Sequence, residues 1–156
     1  MPKITPSWVF DHQAEEAATF YVSVFGGKIL HRTYIEADEP GTAGDLGSIT
    51  FELFGVEYVA ANGGPEFKFG QGLSLYIDCD SQQEMDALYD KLAPGGETEP
   101  CGWITDKFGV SWQVASSRIQ DMMNDPDTEK SHRMLQALYQ MKRINLQQLE
   151  DAFAGK

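Results

Sequence analysis

Cationic residues, thiols and long apolar runs are scarce in this chain, and each shortage removes a class of function. Twelve Lys and Arg stand against twenty-four Asp and Glu, leaving a formal charge of −12. Nucleic-acid binding is dominated by cationic side chains that neutralise phosphates, so no nucleic-acid partner is expected. Anionic membrane surfaces are disfavoured on the same ground, and the acidity mainly serves solubility. No stretch approaches the roughly 18 apolar residues of a membrane span, so no membrane partner is expected. The opening "MPKITPSWVF" carries no signal-peptide pattern. Cys79 and Cys101 are the only thiols, so a disulfide framework is not expected and a reducing cytoplasm is the predicted location. The three histidines, His12, His31 and His132, share no metal-ligand spacing.

What is present suits a globular core. A length of 156 residues is about one domain, and 42% apolar with 12% aromatic content is enough to fill it. The segment "KITPSWVF" reads as a short strand. Asp11 is placed to cap a following helix, with Glu15 and Glu16 in its first turn. Ala14, Ala17, Ala18, Tyr21 and Phe25 recur at helical spacing until Gly26 and Gly27 end the run. Three strand-like segments follow, "KILHRTYIEA", "SITFELF" and "VEYVAAN", broken by glycine turns.

After the loop "GGPEFKFGQG" the pattern starts again. "LSLYIDC" alternates Leu73, Leu75 and Ile77 with Ser74, Tyr76 and Asp78. Ser81 and Glu84 make a capping box for a helix striped by Met85, Leu88, Tyr89 and Leu92. "TEPCGWIT", a D-K-F-G turn and "VSWQVA" then supply further strands. The order strand, helix, strands is thus given twice. It predicts an α+β domain of two similar modules, each a small sheet with one helix on one face. The helix-free faces would form the concavity where a small molecule binds.

The tail is helical. Ser116 or Ser117 caps a short helix with Ile119, Met122 and Met123. Asp125 and Pro126 read as a new N-cap with proline in the first helical position. Met134, Leu135, Leu138 and Met141 stripe that helix, with Lys142 and Arg143 at its C-terminal end. Asn145 and Gln148 open a last one carrying Leu146, Leu149 and Phe153.

Four stretches, "WVFDHQAEEAATFYVSVF", "ANGGPEFKF", "CGWITDKFGVSWQV" and "MLQALYQMKRINLQQLEDAF", make this order resemble the vicinal-oxygen-chelate superfamily. Its members include glyoxalases, extradiol dioxygenases, and fosfomycin and bleomycin resistance proteins. The closer resemblance is to the PhnB-like branch, many of whose members carry the inherited name 3-demethylubiquinone-9 3-methyltransferase-like. The resemblance implies paired βαβββ modules, of the glyoxalase/bleomycin resistance/dioxygenase type, with a C-terminal helical extension. It divides the chain into a domain over 1–115, with modules at about 1–64 and 71–115, and helices over 116–156 packing on the domain or on a dimer partner. A homodimer that cups a small molecule is also implied.

In metal-dependent relatives, His, Glu or Gln side chains from central strands hold a divalent cation that polarises the substrate. Carried over, those positions fall on Pro6, within Ala60 to Asn62, on Leu73 and on Gln113. Gln113 alone has ligating chemistry, so neither a metal nor another cofactor is expected. The ligand contacts implied are Trp8, Asn62, Phe67, Phe69, Trp103, Ser111 and Gln113, with Asn62 and Gln113 lining one cup. Strand alternation separates Val110, Trp112 and Val114, expected under the helices, from Ser111, Gln113 and Ala115, expected to face the cup. Cys101 has no neighbouring base and is a weak nucleophile candidate. No catalytic residue is assigned, although Glu52 and Glu57 are the carboxylates a metal-free lyase or isomerase would draw on. Methyl transfer is disfavoured, because the Gly-rich "NGGPEF" does not open a helix as an S-adenosylmethionine turn would.

Overall fold

A computed structural model describes residues 1–156, in two compact units, Met1–Lys68 and Phe69–Lys156. The first unit runs β1 (Ser7–Phe10), α1 (Ala14–Phe25), β2 (Lys28–Tyr34), β3 (Leu46–Leu53) and β4 (Val56–Asn62). Its four strands are ordered β1-β4-β3-β2. β1 pairs with β4 in parallel, and the other pairings are antiparallel. The second unit repeats that topology with β5 (Leu75–Asp78), α2 (Gln82–Leu92), β6 (Glu97–Thr98), β7 (Trp103–Thr105) and β8 (Ser111–Ala115). Here the strand order is β5-β8-β7-β6, and β5 with β8 is the parallel pair. Helices α3 (Ser117–Met123), α4 (Thr128–Leu138) and α5 (Leu146–Ala154) complete this unit. The α+β fold of two βαβββ modules and a helical extension is therefore as the sequence pattern predicts. No helix is long and apolar enough to cross a membrane.

The core of the first module forms where apolar periodicities of 3.6 and 2 meet. Ala14, Ala17, Ala18 and Tyr21 of α1 are fully buried, as are Ile49 and Phe51 of β3. Tyr21, Trp8, Phe51 and Tyr58 make a ring cluster, with the Trp8 and Tyr21 centroids 5.3 Å apart and edge-on. Such contacts add to the area term of burial.

Two helix starts differ from expectation. Asp11 does not cap α1: the N-cap is Gln13, which makes no side-chain cap bond. The N–H of Ala14 instead donates to Asn62 Oδ1 at 2.9 Å, from the far end of β4. Asp125 and Pro126 do not open α4 either. The cap is Asp127, whose carboxylate accepts from the N–H groups of Glu129 and Lys130, while Asp125 accepts from the N–H of Asp127. Two Asx-type residues in series stabilise the turn, and the second takes the helix. Elsewhere the caps follow the pattern. Ser81 accepts from the N–H of Glu84, Ser116 from that of Arg118, and Asn145 from that of Gln148.

The tail docks on the second module through backbone and polar side chains. In the short 3₁₀ turn Pro100–Gly102, Cys101 (φ 65°) and Gly102 (φ 80°) are both left-handed. That conformation turns two successive N–H groups toward the carbonyls of Met141 and Lys142, at 2.7 and 2.8 Å. Gln82 of α2 donates to the Ile144 carbonyl and accepts from the Leu146 N–H. Arg143 lies beyond the end of α4. It stacks over Tyr89, 4.4 Å from the ring centroid, and reaches Asp86 and Asp90. A Cβ at residue 102 would stand 2.5 Å from the Val114 carbonyl and 2.8 Å from Ile144. Positive φ and this contact together make Gly102→Ala costly. The variant should lose about 2–4 kcal/mol of unfolding free energy in urea titrations, and a loss within 0.5 kcal/mol of zero (about the noise of such data) would refute the docking geometry.

Candidate functional site

Alternation along β8 divides the second sheet into two chemically distinct faces. Strand pairing aligns Leu75, Trp112 and Ile104 in one row and Ile77 with Val114 in the next. This is the apolar surface that the buried stripe of α2, Met85, Tyr89 and Leu92, requires. Trp112 and Val114 are 3% and 1% exposed, as the sequence predicts for core residues. The opposite face carries a row of Tyr76, Gln113 and Trp103, one from each of three neighbouring strands. Beside it lies a row of Ser111 and Thr105, with Glu97 on the edge strand.

On this face Gln113 is half-buried between two aromatic neighbours, and its Nε2 donates to Ser74 Oγ at 2.8 Å. Trp103 is half-buried as well, and Tyr76 is exposed. Burial, and then the nearby Asp78 and Cys79, raise the Tyr76 phenol above its ordinary pKa, so it remains a neutral hydroxyl. Ser111 is only 3% exposed, and its Oγ has no hydrogen-bond partner.

The D-K-F-G turn holds the two strands of this face together. Asp106 is buried, and its Oδ1 accepts from the N–H groups of Phe108 and Val110 at 2.8 and 3.1 Å. Its Oδ2 accepts from Trp112 Nε1 at 2.8 Å. Hydrogen bonds to a carboxylate are worth more than neutral ones, roughly 1.5–3 kcal/mol each. Phe69 packs on Gly109 at the tip of this turn. Phe69, Trp103, Ser111 and Gln113, four of the seven expected contacts, thus belong to the second unit, and the last three share one sheet face.

Trp8, Asn62 and Phe67 belong to the first unit, and the first two serve its helix and not an open face. Trp8 and Asn62 are on the face of the first sheet that carries α1. Trp8 packs on Tyr21 of that helix, and Asn62 Oδ1 holds its first N–H. The amide of Asn62 also donates to the Leu46 carbonyl at 3.1 Å. Both ends of the side chain are therefore committed to the fold. A helix start without a local cap drew the nearest amide oxygen, and the register of β4 supplied it. Phe67 is 52% exposed and folds back over Gly63, where an added Cβ would meet its ring at 2.8 Å.

The helix-free face of the first module carries Ser48, Thr50, Glu52, Glu57, Val59 and Ala61, aligned by the β3–β4 register. Glu52 and Glu57 are direct cross-strand neighbours beside the turn at residues 54 and 55. Each is paired with a lysine, Glu52 with Lys28 at 3.5 Å and Glu57 with Lys3.

The positions where the superfamily places metal ligands do not suit a cation. Pro6, Ala60, Ala61 and Leu73 have no donor atom, and Leu73 is 75% exposed. Asn62 is spent on α1 and β3. No three His, Cys, Asp or Glu side chains converge anywhere in the chain. The thiols are not poised for nucleophilic chemistry. Burial, followed by the charges of Glu84, Asp78 and Asp80, pushes Cys79 up to about 11, and burial raises Cys101. Cys101 Sγ points to the Leu138 carbonyl, which makes this residue part of the tail dock.

Tyr76, Ser74 and Thr105 escaped the sequence reading of the site, although Tyr76 and Ser74 were visible as the polar half of "LSLYIDC". Asp106 escaped it too; an acidic residue that opens the turn between two strands was the available signal.

Two four-stranded sheets, each built as βαβββ with a parallel first and last strand, define the glyoxalase/bleomycin resistance class of fold. Within that class, the chain belongs to the 3-demethylubiquinone-9 3-methyltransferase, or PhnB-like, family, whose sequence pattern matches residues 2–115. Helices α3 to α5 lie outside the match. A solved PhnB protein from Bacillus cereus, which bears the methyltransferase name provisionally, is 33% identical over 74% of this chain and 98% of its own, with a TM-score of 0.66. The protein PA1353 from Pseudomonas aeruginosa shares the fold at 24% identity and a TM-score of 0.59, over 72% of this chain and 95% of its own. No curated protein matches the chain.

Opposite stability changes are expected for Asn62 and Ser111, two of the polar residues expected to contact a ligand. Asn62→Ala should destabilise the protein by about 1–2 kcal/mol through the lost α1 cap. Ser111→Ala should leave stability unchanged or raise it by up to about 1 kcal/mol, since a partnerless hydroxyl is removed. Thermal unfolding of both variants checks the pair, and a clearly destabilised Ser111→Ala would show that the hydroxyl is satisfied within the fold.

Proposed function

We propose that this PhnB-like protein is a cytoplasmic homodimer that binds a small molecule against the Gln113 face of its second module, without the divalent metal of its enzymatic relatives. The observation that carries the reading is the row of Tyr76, Gln113 and Trp103, which sets an amide between two aromatic rings on a face not covered by α2. Aromatic walls with a few polar groups are the usual makeup of a ligand site. Gln113 also falls on a position where relatives place a metal ligand, and the other such positions hold no free donor. Exposed Leu30, Tyr34, Phe54 and Val56, spread over both ends of the first sheet, are apolar groups that a second copy would cover.

A lyase or isomerase is the second reading, favoured by one feature. Glu52 and Glu57 sit side by side on the helix-free face of the first module, where a general base would stand. Their lysine partners and their place beside a hairpin turn weigh toward surface ion pairs, which are worth little and are screened by solvent. The methyltransferase name has less support. Both sheets are mixed, and residues 63–65 lead into a loop and then β5, not into the helix of a cofactor-binding turn.

Protein purified without chelator should contain no stoichiometric Zn, Ni, Mn or Fe by elemental analysis. A tightly bound equivalent of any of them would restore the metal-dependent glyoxalase class. Aromatic drug-like compounds should raise the melting temperature of the wild type, and Gln113→Ala should abolish the shift. A shift given by S-adenosylmethionine instead would rescue the methyltransferase name. Sedimentation at micromolar concentration should give a dimer, and a monomer there would remove the assembly from the proposal.

A further inference from the structure

We propose that the Ser111 hydroxyl anchors the ligand and thereby selects an uncharged molecule that presents a hydrogen-bond acceptor; the inference rests on the reading of the Gln113 face as the binding site. Ser111 is 3% exposed, and its Oγ meets no donor or acceptor of the chain. A buried hydroxyl in that state has lost its bonds to water and gained none. Native structures leave few such groups, and one that persists calls for an account of what uses it. The register places it on the same face as Gln113, two residues along β8, roughly 7 Å away.

The chemistry around it is neutral. Ser74, Tyr76, Trp103, Thr105, Ser111 and Gln113 offer hydroxyls, an indole, a phenol and an amide, and none is ionised at neutral pH. No lysine or arginine lies on β5, β6, β7 or β8. Glu97, on the edge strand opposite Thr105, is the one ionised residue of the two rows. A carboxylate or phosphate brought to Ser111 would give up its hydration without meeting a cation on these strands, and Glu97 would repel it.

The remaining valences define the complement. Ser111 has a proton to donate. Gln113 commits an Nε2 hydrogen to Ser74, which leaves its Oε1 to accept. A ligand acceptor at Ser111 and a ligand donor toward Gln113, carried on a flat ring that lies along Trp103, satisfies all three. A carboxamide on an aromatic ring has this arrangement, and the corresponding carboxylate has its shape without its donor and with the wrong charge.

The test is a matched set of aromatic carboxamides and their carboxylates, benzamide with benzoate first, titrated into the full chain. Binding is followed by the NMR signals of the Gln113 side-chain amide and the Trp103 indole N–H. The carboxamides should move both signals and bind about tenfold or more tightly than their carboxylates, and Ser111→Ala should weaken them by a similar factor. That variant breaks no bond within the chain, so it should remain folded. Carboxylates that bind as well, carboxamide affinity unchanged in Ser111→Ala, or signals moved only by other fragments would each overturn the anchor while leaving the face as a binding site. If no member of a broad fragment collection moves either signal, the face is not a ligand site, and both readings fall together.

Discussion

The parallel pairing of each module's first strand with its last is the constraint from which the rest of the structure follows. β1 lies beside β4, and β5 beside β8, in parallel. Parallel neighbours cannot be joined by a tight turn, so the chain must leave the sheet, cross it as a helix, and return through further strands. The crossover has one favoured hand, which commits the helix to one face. The other face is left without a helix from its own module. Because side chains alternate along a strand, every residue is thereby assigned either to the core under the helix or to the bare side. Trp112 and Gln113 are adjacent in sequence and belong to different environments for this reason.

Hydrophobic burial alone would not hold such small sheets in register. Each joint is closed by a polar side chain that reaches across elements. Asn62 links the end of β4 to the start of α1 and to β3. Asp106 gathers two turn amides and the indole of Trp112, so the same residue shapes the β7–β8 turn and fixes a core ring. Gln82 satisfies the Ile144 carbonyl before α5 and the first N–H of α5, that of Leu146. Register matters most where one face is buried, since a slip of one residue would exchange the two faces. The sharpness of the Gln113 face therefore depends on Asp106, though Asp106 makes no part of it.

Local periodicity made the fold legible from sequence, and the same periodicity correctly sorted Trp112 and Val114 from Gln113 and Ser111. What it could not reveal was any partnership between residues far apart in the chain. Asn62 reads as a turn-former before two glycines, and its role as cap for Ala14 exists only once β4 lies beside β1. Asp11 was a reasonable cap by spacing, but Gln13 occupies the cap position and the bond comes from 48 residues away. Cys101 is a comparable case. A cysteine between Pro100 and Gly102 suggests a reactive turn, whereas its left-handed backbone serves to aim two N–H groups at the tail. Asp125 and Asp127 both make Asx-type bonds, and only the helix register shows that the second is the cap of α4.

The two modules share a topology and differ in what their bare faces carry, and that difference bears on function. In the first module the face holds Glu52 and Glu57 with their lysines, groups that stay well hydrated and prefer water to a ligand. In the second it holds rings, hydroxyls and one amide, which lose little on desolvation and can be matched by a neutral molecule. Repetition of a fold supplies two equivalent platforms, and chemistry on one of them is free to change while the other maintains solubility. Pro6, Ala60 and Leu73 offer no side-chain donor to a cation, whereas Gln113 between Tyr76 and Trp103 offers an amide between rings, so what this face presents is hydrogen bonding and not charge.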